Sequence, residues 1–160
     1  MENLAFERKI CAPADLAVRI AELPRPLVFT NGCFDILHRG HVTYLAQARA
    51  LGASLIVAAN SDASVKRQGK GDDRPVNTLA DRLALLASLE CVSLVTSFDE
   101  DTPIARILES HPDVLVKGGD WSVDKIVGAR EVTGWGGKVI SIPFIHQRST
   151  TALLQKIRSL

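Results

Sequence analysis

Two histidines, His38 and His41, are separated only by Arg39 and Gly40, and they follow a short apolar run. If this segment opens a helix, residues three apart lie on the same side of it, so both imidazoles face one point. The start of a helix carries unpaired N–H groups and the positive end of the helix dipole. Gly40 lets a phosphate approach the backbone there. The segment therefore predicts a phosphate site in which two imidazoles stabilise developing charge.

Phosphoryl-type transfer suits such a site, because this chemistry depends mainly on positioning and electrostatics and needs no covalent step. The rival interpretation is a metal site built from Asp35, His38 and His41. That site lacks a further convincing ligand, and no cysteine pairs with it. We therefore expect no metal site formed by the protein alone.

A second group of residues is basic and consists of Lys66, Arg67, Lys70 and Arg74, with Arg82 on the helix that follows. The glycines beside these charges predict a loop that can close over a triphosphate. Two aspartates within the same loop leave the alternative of a solvated, partly neutralised surface.

Two later segments also carry groups suited to a nucleotide. Lys117, Gly118 and Asp120 follow a predicted strand, where paired glycines let the backbone approach a ligand. Asp120 can hold a hydroxyl, help to place Mg²⁺, or simply cap a turn. Arg148 precedes a run of three hydroxyl residues, from Ser149 to Thr151, that can cap a helix and bind anions. Trp121 and Trp135 are expected in the core.

Short apolar runs alternate with runs of helical period along the chain. Strands are predicted at residues 27–30, 55–59, 92–96, 114–116 and 139–142. Helices are predicted at residues 14–23, around 44–51 and 79–87, and at 102–110 and 149–159. This alternation predicts an α/β fold, a single Rossmann-like, doubly wound parallel sheet of about five strands with helices on both faces. Ligands bind such sheets at the carboxyl ends of the strands.

Composition excludes several classes of function. The chain has 160 residues, with 19 basic and 18 acidic side chains and a net charge of +1, which argues against coating nucleic acid or an anionic membrane. No apolar run is long enough to cross a bilayer, and the first residues do not resemble a signal peptide. The three cysteines are widely spaced and form no CxxC pair, which is typical of a cytoplasmic protein.

The stretch TNGCFDILHRGH, residues 30–41, resembles the HxGH signature of the nucleotidylyltransferase superfamily and its cytidylyltransferase-like branch. Further motifs follow in order: NSD at 60–62, RPVN at 74–77, EDTP at 100–103, VKGGD at 116–120 and STT at 149–151. Together they resemble the heptose 1-phosphate adenylyltransferases over roughly residues 10–158. The resemblance implies transfer of AMP from ATP, with Mg²⁺, to a sugar 1-phosphate, D-glycero-β-D-manno-heptose 1-phosphate. The products are pyrophosphate and an ADP-heptose precursor of lipopolysaccharide or a related glycan.

The resemblance also implies roles for individual residues. The catalytic set is His38, His41 and Lys66. The nucleotide-binding set is Asn31, Gly32, Phe34, Asp35, His38, Gly40, His41, Lys117, Gly118, Asp120, Arg148, Ser149 and Thr150. The set that binds the acceptor phosphate is Asn60, Asp62, Arg74 and Arg82. One departure is Gln147, which stands where the family usually carries glycine.

The resemblance further implies a homo-oligomer, with a dimer expected. Many relatives carry a fused sugar kinase domain, for which 160 residues leave no room. We therefore expect one nucleotidyltransferase domain over residues 1–160, with residues 1–26 as a leading helical segment.

Two alternatives stay open. The residues alone do not distinguish adenine from cytosine. One is a cytidylyltransferase that acts on glycerol 3-phosphate or another alcohol phosphate. The other is a non-catalytic module that binds a nucleotide and regulates a partner.

Overall fold

The computed structural model describes residues 4–160, and its centre is a five-stranded sheet in the order β3-β2-β1-β4-β5. The strands are β1 Leu27–Gly32, β2 Ser54–Asn60, β3 Leu94–Phe98, β4 Val114–Gly118 and β5 Lys138–Ile142. All neighbouring strands pair in parallel. The chain builds one half of the sheet outward from β1 and then returns to place β4 on the other side of β1. The topological switch point therefore lies between β1 and β4.

Helices connect the strands and cover both faces of the sheet. They are α1 Leu16–Ala21, α2 Arg39–Arg49, α3 Asp62–Arg67, α4 Leu79–Ser88, α5 Ile104–Ser110, α6 Ala129–Gly134 and α7 Thr150–Arg158. Short 3-10 turns are formed by Glu7–Lys9, Pro13–Asp15 and Val123–Lys125. None of the described helices combines the length and the apolar character that a bilayer crossing needs.

Two apolar clusters hold these layers together, one on each face of the sheet. Leu27 and Phe29 belong to the cluster that α1, α5 and α6 cover, whereas Val28 belongs to the cluster under α2 and α4. This division follows from the strand itself, because successive side chains point to opposite faces. All three residues are fully buried, and burial of each such side chain stabilises the fold by about 1.5–3 kcal/mol.

The predicted fold class is confirmed, but several boundaries differ. The third strand begins at Leu94 instead of residue 92, and the leading helix is only six residues long. Residues 1–3 of the predicted leading segment lie outside the described residues. Helices α3 and α6 were not predicted, since each spans six residues, too few to show a helical period. That residues 1–160 form one domain without a fused kinase stays a prediction.

Candidate active site

The two histidines lie side by side where α2 begins, at the carboxyl end of β1. His38 is the N-cap of α2, and its Nδ1 accepts a hydrogen bond of 3.4 Å from the backbone N–H of His41. The two imidazole rings stack with centroids 3.8 Å apart and planes 18° from parallel. The helix start therefore presents two imidazoles together, as the spacing predicts.

Both imidazoles are held in the neutral form by their surroundings. Burial, followed by the neighbouring charge of His38, lowers the pKa of His41 to about 4. Burial and the charge of Arg148 lower the pKa of His38. A neutral imidazole still carries one N–H donor. Within the described residues, the buried Nδ1 of His41 has no hydrogen-bond partner.

The depressed pKa of His41 makes stability depend on pH. Between pH 6.5 and about 4, the unfolded chain binds a proton at this position that the native chain does not. Stability therefore rises with pH through this window and falls as the pH drops. Each pKa unit corresponds to about 1.4 kcal/mol, so we expect this group to remove ~3 kcal/mol of stability by pH 4 relative to pH 7.

Urea unfolding of the wild-type chain and of His41→Asn at several pH values between 7.5 and about 4 measures this contribution. We expect the wild-type chain to lose stability relative to His41→Asn as the pH falls, so that the variant becomes nearly as stable as the wild type or more stable. A difference that stays constant over the same range would contradict the buried, neutral state of His41.

Asp35 ties the turn before α2 to the segment that precedes α4. Its buried carboxylate accepts hydrogen bonds from Arg74 Nε at 2.5 Å, from Val76 N at 2.8 Å and from Asn77 N at 3.0 Å. Burial alone would raise the pKa of Asp35, but these hydrogen bonds outweigh it and lower the pKa. The carboxylate oxygens are thus occupied by protein donors. The role of Asp35 is therefore to hold Arg74, Val76 and Asn77 in place.

Arg82 was expected to bind the acceptor phosphate, but it does not line the cavity that opens at the switch point. This corrects the expectation. Its fully buried guanidinium donates to Cys33 O at 2.7 Å, to Asp62 Oδ1 at 2.8 Å and to Asn77 O at 3.2 Å. Asp62 is the other half of this ion pair and is likewise absent from the cavity wall. Arg82 therefore fastens the end of β1 and the start of α3 to the segment before α4.

A cavity of about 450 Å³ opens at the switch point, within the size range of small-molecule sites. Here it is called the main cavity. Its wall includes these predicted site residues: Asn31, Gly32, Phe34, Asp35, His38, His41, Arg74, Lys117, Gly118, Ser149 and Thr150. Several other predicted residues do not line it: Gly40, Asn60, Asp62, Lys66, Arg82, Asp120 and Arg148. Arg74, predicted to hold the acceptor phosphate, lies in this cavity with its Nε fixed by Asp35.

Gly40 leaves room for a neighbouring segment of the chain. A Cβ at this position would lie 3.0 Å from the His38 ring and 3.2 Å from the carbonyl oxygen of His146. The missing side chain thus lets the segment before α7 cross close to the start of α2. Gln147, which replaces the family glycine in that segment, does not adopt a positive φ, because the described non-glycine residues that do are Phe34 and His111. The turn into α7 therefore needs no glycine at this position.

Aromatic side chains form one wall of the main cavity, and sequence reasoning missed them. Trp121 is 50% exposed and Phe144 43% exposed, so neither belongs to the core, which corrects the expectation for Trp121. Trp121 Nε1 donates to Gly118 O at 3.1 Å, and Phe144 meets Tyr44 edge to face at 5.8 Å. Exposed aromatic faces in a cavity are suited to a flat nucleobase. Trp135 packs against the core, as expected.

Of the loop cations Lys66, Arg67 and Lys70, the one that lines the main cavity is Lys70. Lys66 lies exposed in the last turn of α3 and does not line the cavity. Lys70 lies in the loop after α3, and its Nζ is 3.8 Å from Cys33 Sγ. Gly69 and Gly71 flank it with φ of 67° and 120°, values that favour glycine.

Hydroxyl residues at the start of α7 close the main cavity. Ser149 caps the helix by accepting a hydrogen bond of 3.1 Å from Ala152 N. Thr150 is buried and, together with Thr151, completes the cavity wall. The free N–H groups of this helix start favour anions. Two helix N-termini, those of α2 and α7, therefore present hydrogen-bond donors to the same cavity.

Among residues 4–160, no group of three or more His, Cys, Asp or Glu side chains is placed to hold a metal ion. Mg²⁺ is commonly bound through substrate phosphates with only one or two protein carboxylates. Any divalent ion would thus depend on the phosphates of a bound nucleotide for most of its ligands.

Comparison with known proteins agrees with this geometry. Residues 29–156 match the family model described as cytidylyltransferase-like. A D-beta-D-heptose 1-phosphate adenylyltransferase from Bordetella bronchiseptica is 59% identical over 160 residues, which cover 99% of each chain. The bifunctional protein HldE of Pseudomonas fluorescens is 57% identical over 133 residues, or 83% of this chain and 28% of that protein.

Solved structures show the same architecture. A lipopolysaccharide core biosynthesis protein from Thermoplasma volcanium is 28% identical with a TM-score of 0.62, over 76% of this chain and 98% of that one. A pantoate-beta-alanine ligase from Francisella tularensis has a TM-score of 0.61 at 17% identity, over 89% of this chain and 68% of that one. The second likeness concerns the fold alone.

Proposed function

This chain belongs to the cytidylyltransferase-like family, and we propose that it transfers AMP from ATP to D-glycero-β-D-manno-heptose 1-phosphate. The products are ADP-heptose, a precursor of lipopolysaccharide or a related glycan, and pyrophosphate. The observation that carries the proposal is the stacked His38–His41 pair, which shares one cavity with the hydroxyl residues at the start of α7. The choice of ATP and a heptose is supported by the adenylyltransferase that is 59% identical over nearly the whole chain.

In the proposed reaction, an oxygen of the sugar phosphate attacks the α-phosphorus of ATP. The bond from the α-phosphorus to its bridging oxygen breaks, and pyrophosphate leaves in line with the attack. His38 and His41 donate hydrogen bonds to oxygens on which charge develops. Ser149, Thr150 and the free N–H groups of α7 hold the remaining phosphates. Mg²⁺ accompanies ATP and offsets part of the triphosphate charge.

The aromatic wall of the main cavity takes the adenine in this assignment. Trp121 and Phe144 offer exposed faces near Gly118, where a side chain would lie 2.9 Å from the Phe144 ring. The ribose and the triphosphate then run from this wall toward the histidine pair. The homodimer stays a prediction from the resemblance, and the cytoplasmic location stays a prediction from the cysteine pattern and the N-terminal sequence.

A panel of pyrophosphate-release assays tests the proposal. ATP and CTP are each combined with heptose 1-phosphate, mannose 1-phosphate and glycerol 3-phosphate. We expect the highest kcat/KM for ATP with heptose 1-phosphate. Preference for CTP with glycerol 3-phosphate would favour a cytidylyltransferase, and nucleotide binding without pyrophosphate release on any acceptor would favour a regulatory module.

Replacing Lys70 tests which loop cation serves the triphosphate. A hydrogen bond to a charged group contributes about 1.5–3 kcal/mol, so Lys70→Ala should lower kcat/KM for ATP by roughly tenfold to a hundredfold. Lys66→Ala should have a smaller effect, because Lys66 does not line the main cavity. Lys156→Ala, on the exposed part of α7, is the matched control. A larger loss in Lys66→Ala than in Lys70→Ala would instead support the catalytic role that sequence predicts for Lys66.

A further inference from the structure

Tyr44 lies on α2, three residues after His41 and therefore on the same side of the helix. Its side chain is buried, and its ring forms part of the wall of the main cavity. We propose that Tyr44 is a positioning residue for the transfer reaction, because its hydroxyl fixes the distance between the histidine pair and the aromatic wall. The proposal rests on the proposed function, since it concerns how the groups of that reaction are aligned.

The sheet opens between β1 and β4, at the switch point. All six residues of β1 pair with β2, and all five residues of β4 pair with β5. Within the described residues, β1 and β4 pair with each other at two positions only, Val28 with Val114 and Phe29 with Leu115. The last three residues of each strand lie beyond this pairing. A side chain that bridges the two strand ends can therefore set the distance between them.

The hydroxyl of Tyr44 forms such a bridge. It is hydrogen-bonded to the hydroxyl of Thr30 on β1, and it donates a hydrogen bond of 3.4 Å to the carbonyl oxygen of Val116 on β4. Both Tyr44 and Thr30 are buried. Burial raises the pKa of Tyr44 above its ordinary value, so the phenol keeps its proton and can donate at neutral pH. One phenolic oxygen thus joins α2, β1 and β4 where the sheet opens.

The ring of Tyr44 also supports the aromatic wall. It meets the Phe144 ring edge to face, with centroids 5.8 Å apart. Gly118, the last residue of β4, lies close to both rings, since a Cβ there would be 2.9 Å from Phe144 and 3.2 Å from Tyr44. The carbonyl oxygen of Gly118 accepts the hydrogen bond from Trp121 Nε1. Tyr44 therefore links the wall assigned to the base with the helix start that carries the histidine pair.

The distance between these two parts of the site matters for the reaction. A bound nucleotide spans it, because the base lies on the aromatic wall while the α-phosphorus has to lie within reach of the imidazoles. A displacement of about 1 Å between reacting groups can cost roughly a hundredfold in rate. Loss of the bridge should therefore lower kcat. Binding of ATP in the ground state should change little when the ring of residue 44 is kept.

Two variants remove the bridge from opposite sides. Tyr44→Phe removes the phenolic hydroxyl and keeps the ring, and Thr30→Val removes the partner hydroxyl and keeps the shape of that side chain. Each should lower kcat for ADP-heptose formation roughly tenfold and change KM for ATP less than about twofold. The double variant should lose little more than either single variant, because both substitutions remove the same bridge. Thr30→Ser, which keeps the hydroxyl, should retain most of the wild-type kcat.

Ser110→Ala is the matched control. It removes a buried hydroxyl that donates a hydrogen bond of 2.7 Å to Arg106 O, and Ser110 lies outside the wall of the main cavity. A merely structural hydroxyl lowers the free energy of unfolding without changing kcat of the folded chain. Urea unfolding of each variant, together with kcat per folded chain, therefore separates positioning from stability. Thr30→Val decides the question if Tyr44→Phe does not fold.

A further comparison shows whether Tyr44 acts through the histidine pair. In the His41→Ala background, Tyr44→Phe should lower kcat by a smaller factor than in the wild-type chain, because one of the groups that it positions is already absent. An equal factor in both backgrounds would mean that the hydroxyl acts independently of His41 and would overturn the proposal.

The remaining outcomes separate the proposal from the proposed function. If the wild-type chain makes ADP-heptose but the folded bridge variants keep the kcat of Ser110→Ala, or raise KM for ATP without lowering kcat, Tyr44 is not a positioning residue and the proposed function stands. If the wild-type chain makes no nucleotide sugar from any sugar phosphate, the proposed function fails and the proposal for Tyr44 fails with it.

Discussion

His41→Ala is expected to lower kcat about a hundredfold, since removal of one donor to a developing oxyanion costs roughly 3 kcal/mol of transition-state stabilisation. His38→Ala should have an effect of similar size. Both imidazoles lie at the start of α2, and both line the main cavity. The loss should appear in kcat more than in KM for ATP, because the donors act on charge that develops during the reaction.

The stacked arrangement predicts that the two histidines act as a unit. Their ring centroids are 3.8 Å apart, so each ring positions the other. The double variant should therefore lose less activity than the product of the two single losses. His111→Ala is the matched control, because His111 stacks on Trp135 away from the main cavity. A near-normal kcat in either single variant, with the fold intact, would contradict the role of that histidine as a donor to the developing charge.

The second large effect is expected for Asp35→Ala, which removes the partner of a buried arginine. Arg74 is 5% exposed, and its Nε donates to Asp35. Breaking a buried pair by removing one partner is destabilising by about 3–5 kcal/mol, because the remaining charge stays buried without compensation. The same substitution leaves the backbone N–H groups of Val76 and Asn77 without their acceptor. We therefore expect a strong loss of stability together with loss of activity.

Equilibrium unfolding in urea measures this loss, with Glu22→Ala as the matched control. Glu22 forms an exposed ion pair of 3.7 Å with Arg19, and such surface pairs contribute about 0–1 kcal/mol. Asp35→Asn keeps one acceptor oxygen and should fall between Asp35→Ala and the wild-type chain. If Asp35→Ala unfolds at the same urea concentration as the control, Asp35 does not anchor the segment before α4.

The sequence predicted most of the architecture, because the evidence for it is local. The strands carry short apolar runs, and the capping residue Thr78 marks the start of α4 by accepting a hydrogen bond of 3.3 Å from Asp81 N. The pairing of His38 with His41 was predictable from their spacing. It arises, however, from N-capping, because His38 precedes α2 with an extended backbone and accepts a hydrogen bond from His41 N. Helices α3 and α6 were not predicted, because six residues are too few to show a helical period.

The positions of several predicted site residues depend on tertiary contacts, which the sequence alone does not reveal. Arg82 and Asp62 have residue types suited to binding a phosphate or a sugar, but they pair with each other behind the cavity wall. Tryptophan is a residue type often found in a core, but Trp121 is exposed. Its exposure depends on the path of the chain after β4. The reach of Lys70 in place of Lys66 depends on the path of a glycine-containing loop. None of these arrangements leaves a trace in the spacing of the residues.

Isotope transfer from labelled ATP tests the central claim most directly. The chain is incubated with heptose 1-phosphate and with ATP that carries radioactive phosphorus at either the α or the γ position, and the products are separated. Attack at the α-phosphorus predicts that the α label enters ADP-heptose and the γ label leaves as pyrophosphate. Appearance of the γ label in the sugar product, or retention of both labels in ATP by a folded chain, would contradict the account.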